Sequence, residues 1–412
     1  MSFIITLLIL MLLADVWWWF TADRMLKTLP RSVWWRAGLA AFMALCIGGL
    51  LLVLLGRMAG ISYSVLGAAG LALLFIWHFL LLPVLAIPSV LAAIVSGACR
   101  LIAGPARIAP DNPAQCSPSG DAGEAISRRD LLRAAVATAP PLIAIAGTGH
   151  ALQMLDEFRI RRLVIPLEGL PRDLDGMTIA HVSDVHVGTF TRGKTLERIR
   201  DATNSLRADL VVQTGDLINR HLSDLPAAAE MSNRMEGRFG QFICEGNHDL
   251  MEGRLEFERR AIASRLPLLL NEGAEIRVHG VPVQILGLRW GRPGWMQRQE
   301  LRRSSDQVIE ASMRELLARR RDDAFTILLA HHPHAFDVAA KHAIPLTLSG
   351  HTHGGQLHLS EHIGFGPRMF RYWSGLYRKN GSALVVSNGV GNWFPLRINA
   401  PAEIIHITLR RA

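Results

Sequence analysis

The chain has 412 residues, half of them hydrophobic and 19% charged, with a mean hydropathy of +0.23, a net charge of +9 and a pI near 10.1. This composition rules out a disordered protein and argues against an ordinary cytosolic enzyme, and at about 100–200 residues per domain two or three units are expected. The basic excess suits nucleic acid, anionic lipid or a phosphorylated substrate.

In chain order, residues 1–103 read as a transmembrane helical region of about three helices. Residues 2–22 are nearly all apolar, with Asp15 the one charge before Asp23. Residues 37–56 and 58–99 carry no Lys, Arg, Asp or Glu. Pro83 and Pro88 predict that the third helix covers about 62–82 and gives way to an interfacial segment. Trp17, Trp18, Trp19, Trp34 and Trp35 suit the headgroup layer. Arg24, Lys27, Arg31 and Arg36 place the first loop in the cytoplasm, and Arg100, Arg107, Arg128 and Arg129 return the chain to that side. Residues 104–126 form a linker rich in Pro, Gly and Ser. Residues 127–150 combine a Ser127-Arg128-Arg129 segment, which resembles a twin-arginine export signal, with a fourth hydrophobic helix. Either as a signal or as an anchor it sends residues 155–412 out of the cytoplasm.

From about residue 155 the pattern changes to short β-branched runs at 178–183, 209–214, 240–244, 275–279, 282–288, 325–330, 345–349, 383–387 and 403–409. Stretches 194–206, 253–265 and 304–320 have helical spacing. This predicts a layered α+β domain, sheets inside and helices outside. Its chemistry lies where the runs stop: Asp184 and His186, Gly215-Asp216, Gly246-Asn247-His248-Asp249, His331-His332, and Gly350-His351-Thr352-His353. Oxygen and nitrogen donors without a thiolate suit Mn, Fe or Zn. Two such ions about 3.5–4 Å apart can clamp the attacking and leaving oxygens of phosphoryl hydrolysis. Asp184 and His186, two apart, can reach one ion only if the strand pleat breaks after Ser183. Gly215 allows a close approach just before Asp216.

The ordered set DVH, GD, GNHD, a further histidine and GHTHGGQ over roughly residues 155–412 resembles the calcineurin-like metallophosphoesterases, in particular their bacterial membrane-associated branch. The resemblance implies a four-layer α/β/β/α sandwich of two mixed sheets. It implies two divalent metals, with manganese favoured. Asp184, His186 and His353 would hold the first; Asp216 would bridge; Asn247, His331 and His351 would hold the second. His248, oriented by Asp249, would stabilise or protonate the leaving group, and a metal-bridging hydroxide would be the nucleophile. His331 or His332 could be the ligand; the first sits on the strand end and fits the family pattern.

Other residues read more plainly. His181 and Cys244 are expected in the core, His334 at the surface or behind the site, and His358 and His362 at the cleft rim or without a role. Leu288 to Trp295, with Arg298, Arg302 and Arg303, forms a Trp/Arg-rich flap that reads either as a lid facing membrane or an anion or as a solvated loop with incidental tryptophans. Asn388 stands where the family has a basic residue, whereas Arg397 matches it. The function expected is a membrane-anchored phosphodiesterase or pyrophosphatase acting on lipid-linked or cell-envelope phosphoesters, its partners being that substrate and the bilayer. Two alternatives are a UDP-2,3-diacylglucosamine-type lipid A precursor pyrophosphatase at the cytoplasmic face and a non-catalytic metal-stabilised scaffold. No nucleic acid is expected, for want of a basic stripe.

Overall fold

A computed structural model describes residues 2–27, 29–58, 66–103, 127–291, 305–360, 363–364 and 366–412. The linker, His362 and the flap residues from Arg292 to Arg303 lie outside the described residues. The chain divides into two compact units, Met1–Leu152 and Gln153–Ala412.

The first unit is helical: α1 (Ser2–Leu26), α2 (Ser32–Met58), α3 (Gly67–Phe75), a π-helical turn (Ile76–Leu81), α4 (Leu82–Ala103) and α5 (Arg128–Gln153). Among the described residues four stretches are long and apolar enough to cross a membrane: Thr6–Leu26, Ser32–Gly56, Gly67–Ala92 and Arg128–Gln153. The break expected at Pro83 and Pro88 does not occur, and α4 runs on to Ala103. Local π turns are one way an apolar helix accommodates proline, and here one ends just before Pro83. The same turn answers for Asp15, which is fully buried. Its carboxylate accepts from Trp77 Nε1 at 2.7 Å and lies 3.0 Å from His78 Nε2. At 3.6 residues per turn consecutive side chains diverge by about 100°; the wider π turn lets Trp77 and His78 meet one carboxylate.

The second unit begins with β1 (Phe158–Leu167), β2 (Thr178–Val182), α6 (Lys194–Ser205), β3 (Leu210–Thr214), α7 (Leu225–Asn233), β4 (Gln241–Cys244) and α8 (Arg254–Ala263). It continues with β5 (Glu272–Val278), β6 (Val281–Gly287), α9 (Ser305–Leu317), β7 (Phe325–Leu329), α10 (Ala335–Lys341) and β8 (Leu346–Ser349). The last elements are β9 (His358–Ser360), β10 (Ile363–Gly364), α11 (Gly366–Met369), β11 (Gly375–Lys379), β12 (Ser382–Val386) and β13 (Ala402–Arg411). One mixed sheet has the order β1-β13-β2-β3-β4 and the other β11-β12-β8-β7-β6-β5, while β9 and β10 form a small hairpin. The two-residue period of the strands sorts their side chains into three cores. Ile179, Leu210 and Val212 meet Ile285, Ile327, Leu329 and Leu348 between the sheets. Ala180, Val182 and Val211 pack outward on Ile199, Ala228 and Phe257 of α6 to α8. Leu286, Leu328 and Leu384 pack outward on Met313, Leu316 and Phe336 of α9 and α10. These are the four layers of the α+β sandwich, and β2, β3, β4, β7 and β8 end towards one cleft.

Candidate metal centre

The site is built where those five strands stop. β2 ends at Val182, and the backbone then turns left-handed at Asp184 (φ 53°) and His186 (φ 49°). This is the broken pleat that the two-residue spacing required. Asp216 (φ 53°), His351 (φ 73°) and His353 (φ 50°) adopt the same region. A non-glycine residue there costs on the order of 1–3 kcal/mol and persists only where its surroundings hold it. Neighbouring loops do the holding. The amides of Asp184 and His186 donate to the Gly215 and Asp216 carbonyls at 3.0 and 2.9 Å, and Gly391 N–H donates to the Asp184 carbonyl at 2.9 Å. A Cβ on Gly215 (φ +84°) would stand 2.6 Å from the Gly246 nitrogen, so only glycine lets these two loops touch.

Among the described residues three donor clusters result. Asp184, His186 and His353 each bring a ligand atom within 4.8 Å of the others, as do Asp216, His331 and His351, and Asp216 also gathers with His186 and His248. His186 Nε2 faces His353 Nε2 at 2.9 Å, and His353 Nε2 lies 3.3 Å from Asp184 Oδ1. On the other side His331 Nε2 is 3.2 Å from Asn247 Oδ1 and 3.3 Å from His351 Nδ1. Asp216 Oδ2 lies between the groups, 3.5 Å from His186 Nε2 and 3.2 Å from His331 Nε2. All seven expected ligands therefore converge, with Asp216 shared. The cluster includes His331; His332 instead packs its ring on Trp290 and His351.

Burial and charge set these groups for cations. Burial lowers the His351 ring to about 3, with His331 adding to the effect. Burial also lowers His353, against which Arg397 sets its guanidinium, Nη2 3.0 Å from Nδ1. Burial alone would raise the Asp184 carboxyl, but the His353 ring beside it outweighs that and holds it well below the usual range. Burial opposes a charge on His331, yet the Asp216 carboxylate overrides it and raises the ring to about 9. Burial favours the neutral His351 and His353 rings; with the buried Asp184 and Asp216 carboxylates, and with His331, whose proton a cation would displace, they make a nitrogen and oxygen donor set that fits Mn, Fe or Zn. His331 Nδ1 donates to the Thr214 carbonyl at 2.6 Å, which leaves Nε2 facing the cluster.

Asp249 takes another place than expected. Its carboxylate accepts from the backbone amides of Asp216 (2.9 Å), Gly246 (2.8 Å) and Ile218 (3.0 Å). It staples the two loops together rather than orienting His248. Burial, then the charge of Asp216, push its carboxyl up to about 7. The His248 ring is held by the Asn219 carbonyl, which accepts from Nδ1 at 2.6 Å. Sequence reasoning missed Asn219, since a backbone acceptor has no side-chain signature.

The remaining candidates separate clearly. His181 is buried and its Nε2 meets Thr214 Oγ1 at 2.8 Å, burial lowering the ring to about 4. Cys244 is in the core between the sheets. His334 packs between His332 and Tyr372, one ring behind His351. Arg397, the position that matches the family, is buried, and its guanidinium donates to the carbonyls of Asn388, Gly391 and Ala400 and to Asn392 Oδ1. Trp290, the described end of the flap, lays its ring 5.2–5.7 Å from those of His331, His332 and His351.

Residues 177–355 match the family profile described as calcineurin-like phosphoesterase. A zebrafish (Danio rerio) protein named "Transmembrane protein with metallophosphoesterase domain" is 32% identical over 322 residues, 72% of this chain and 67% of its own length. An "Uncharacterized metallophosphoesterase YkuE" of Bacillus subtilis is 27% identical over 69% of this chain and 98% of its own. A Helicobacter pylori "Uncharacterized metallophosphoesterase" is 28% identical over 61% of this chain, which spans 64% of it. With its ordered motifs meeting in one cleft between two mixed sheets, the chain belongs to the calcineurin-like metallophosphoesterase family.

Proposed function

We propose that the protein is a membrane-anchored phosphoesterase of the diesterase or pyrophosphatase type, working with two divalent cations on lipid-linked or cell-envelope phosphoesters outside the cytoplasm. The observation that carries this is the sharing of Asp216 by two donor clusters. Asp184, His186 and His353 would hold one cation, Asn247, His331 and His351 the other, and Asp216 both. Cations there supply an activated water and offset charge on phosphoryl oxygens. The protein's own part is positional. Asp249 fixes the Asp216 and Asn247 loops to each other. His248, its Nδ1 donating to Asn219, has Nε2 left for the leaving oxygen, and when that nitrogen carries hydrogen it donates it.

The membrane part of the reading is supported by the four apolar helices and by the name of the zebrafish relative. α5 runs to Gln153, where the phosphoesterase unit begins, so the enzyme would work close to the headgroups. The test is hydrolysis of bis(p-nitrophenyl) phosphate by detergent-purified protein with Mn²⁺, against a chelated sample and Asp216→Ala. Turnover that needs metal and disappears with the substitution is expected. Metal-loaded protein without turnover would refute the reading, and a reporter fused at the C-terminus checks the side of the membrane.

A further inference from the structure

Trp393 is 40% exposed, yet it stands beside the reacting groups. Its ring centroid lies 6.1 Å from that of His248 and 6.5 Å from that of His353. A single exposed tryptophan needs no explanation by itself. The loop beneath it does. Buried Arg397 donates to the Asn388 carbonyl at 2.8 Å, to the Gly391 carbonyl at 2.5 Å and to Asn392 Oδ1 at 2.7 Å. Asn392 in turn donates from its backbone amide to Thr191 Oγ1 at 2.9 Å and from Nδ2 to the Leu155 carbonyl at 2.7 Å. Val390 N–H donates to the Ser183 carbonyl at 2.9 Å. The residue next to Trp393 is thus pinned on both sides, and the same guanidinium touches His353. An indole kept partly in water on so fixed a loop is a preformed surface, its ordering entropy already spent in folding.

We propose that Trp393 is a specificity-determining platform on the leaving-group side of the cleft, and that the substrate class is phosphoesters whose leaving group presents a ring face next to phosphorus. The position follows from His248, the residue placed to serve the leaving oxygen. This inference rests on the phosphoesterase reading of the site. Stacking on an indole is worth a few-fold to about tenfold in affinity.

The test uses full-length, Mn²⁺-loaded protein in detergent and binding calorimetry with methyl-, cyclohexyl- and phenylphosphonate, which cannot be hydrolysed at carbon. Wild type should bind phenylphosphonate more tightly than methylphosphonate. Trp393→Ala and Trp393→Leu should lose about five- to tenfold of that preference, Trp393→Phe should keep most of it, and methylphosphonate should bind all four alike. Elemental analysis checks that metal content is equal. Cyclohexylphosphonate distinguishes a flat ring, if it binds like methyl, from any ring face, if it binds like phenyl; both agree with the proposal. A preference unchanged in the alanine and leucine variants, or absent from wild type, overturns it. Diester turnover is measured alongside. Turnover without a Trp393-dependent preference sinks the platform alone, and a preference without turnover sinks the hydrolase reading alone.

Discussion

Asp15 offers the sharpest test of the helical unit. Its carboxylate takes a hydrogen bond from Trp77 and meets His78, all three being buried. The Leu74 carbonyl lies 2.8 Å from His78 Nδ1 and can only accept, so that nitrogen carries hydrogen. Asp15→Leu removes both bonds; Asp15→Asn keeps them, with the amide oxygen accepting from Trp77 and the amide N–H donating to His78 Nε2. Interhelical hydrogen bonds in bilayers average about 0.6 kcal/mol and reach about 1.7, so two amount to roughly 1.2–3.4 kcal/mol. Every 1.4 kcal/mol is tenfold, so opening of the bundle should rise about 10- to 300-fold in the leucine variant. Cys46 reports that opening, being fully buried on α2 one turn beyond Phe42, whose ring meets Trp77 edge-on at 4.9 Å. The assay is the rate of maleimide labelling of Cys46 in the full chain, read by peptide mass spectrometry. Labelling of Asp15→Leu at the wild-type rate would refute the reasoning. Equal acceleration in Asp15→Asn would show that the acid's proton, not its hydrogen bonds, is what matters.

Three further outcomes are expected. Gly215→Ala forces a Cβ against the Gly246 nitrogen at a φ of +84°, so it should destabilise the second unit by at least about 2 kcal/mol and lower metal content, read by thermal melting and elemental analysis. Asp249→Asn turns an amide N–H towards backbone N–H donors, so metal affinity and melting temperature should fall together, whereas a residue that only oriented His248 would lower kcat alone. Burial opposes the Asp337 charge, but Lys379 at 2.6 Å, the Tyr372 hydroxyl at 2.9 Å and Arg371 override it and hold its carboxyl below the usual 3.8. Its contribution is complete above the unfolded value and is lost as pH falls through the lower folded one. Asp337→Asn should therefore melt below wild type at pH 7, and the gap should close as pH drops under 3.8.

Much of this was legible because strand patterning and strand-end motifs are local. The β-branched runs at 178–183, 209–214 and 325–330 became β2, β3 and β7 within a residue or so. β1 escaped because FRIRRLVIPL carries three arginines; it is an edge strand beside β13, and its arginines find partners on that neighbour, Arg159 and Arg161 at the buried Glu403 carboxylate and Arg162 at His406. The run of α4 through Pro88 escaped because a π turn leaves no mark in composition. Trp393 escaped because nothing in a chain read in order relates it to His248, 145 positions earlier.

The motif glycines show where pattern ends and physics begins. Of Gly215, Gly246, Gly350, Gly354, Gly389 and Gly391, the sequence marks only Gly215 as a close approach. In the fold each faces another loop of the same cleft. A Cβ on Gly246 would strike the Asp216 amide and carboxylate, on Gly350 the Ser183 and Asp184 side chains, on Gly389 the Asp184 Cβ at 2.7 Å, and on Gly354 the Asn388 amide oxygen at 2.6 Å. They are the clearances that let five loops interpenetrate. Interpenetration in turn supplies the amide-to-carbonyl bonds that hold Asp184, His186 and Asp216 left-handed. The candidate ligands could be read from their chemistry, but their strained backbone could not, because it is sustained by glycines up to about two hundred positions away. A glycine-to-alanine change at any of these contacts should therefore act on metal affinity through a loop it does not belong to. For Gly389→Ala the cation that Asp184 and His353 would hold should weaken before the one proposed at His331 and His351, and calorimetric titration with Mn²⁺ should resolve the two. Equal weakening of both would mean that the loops yield as one body and that the strain is not local.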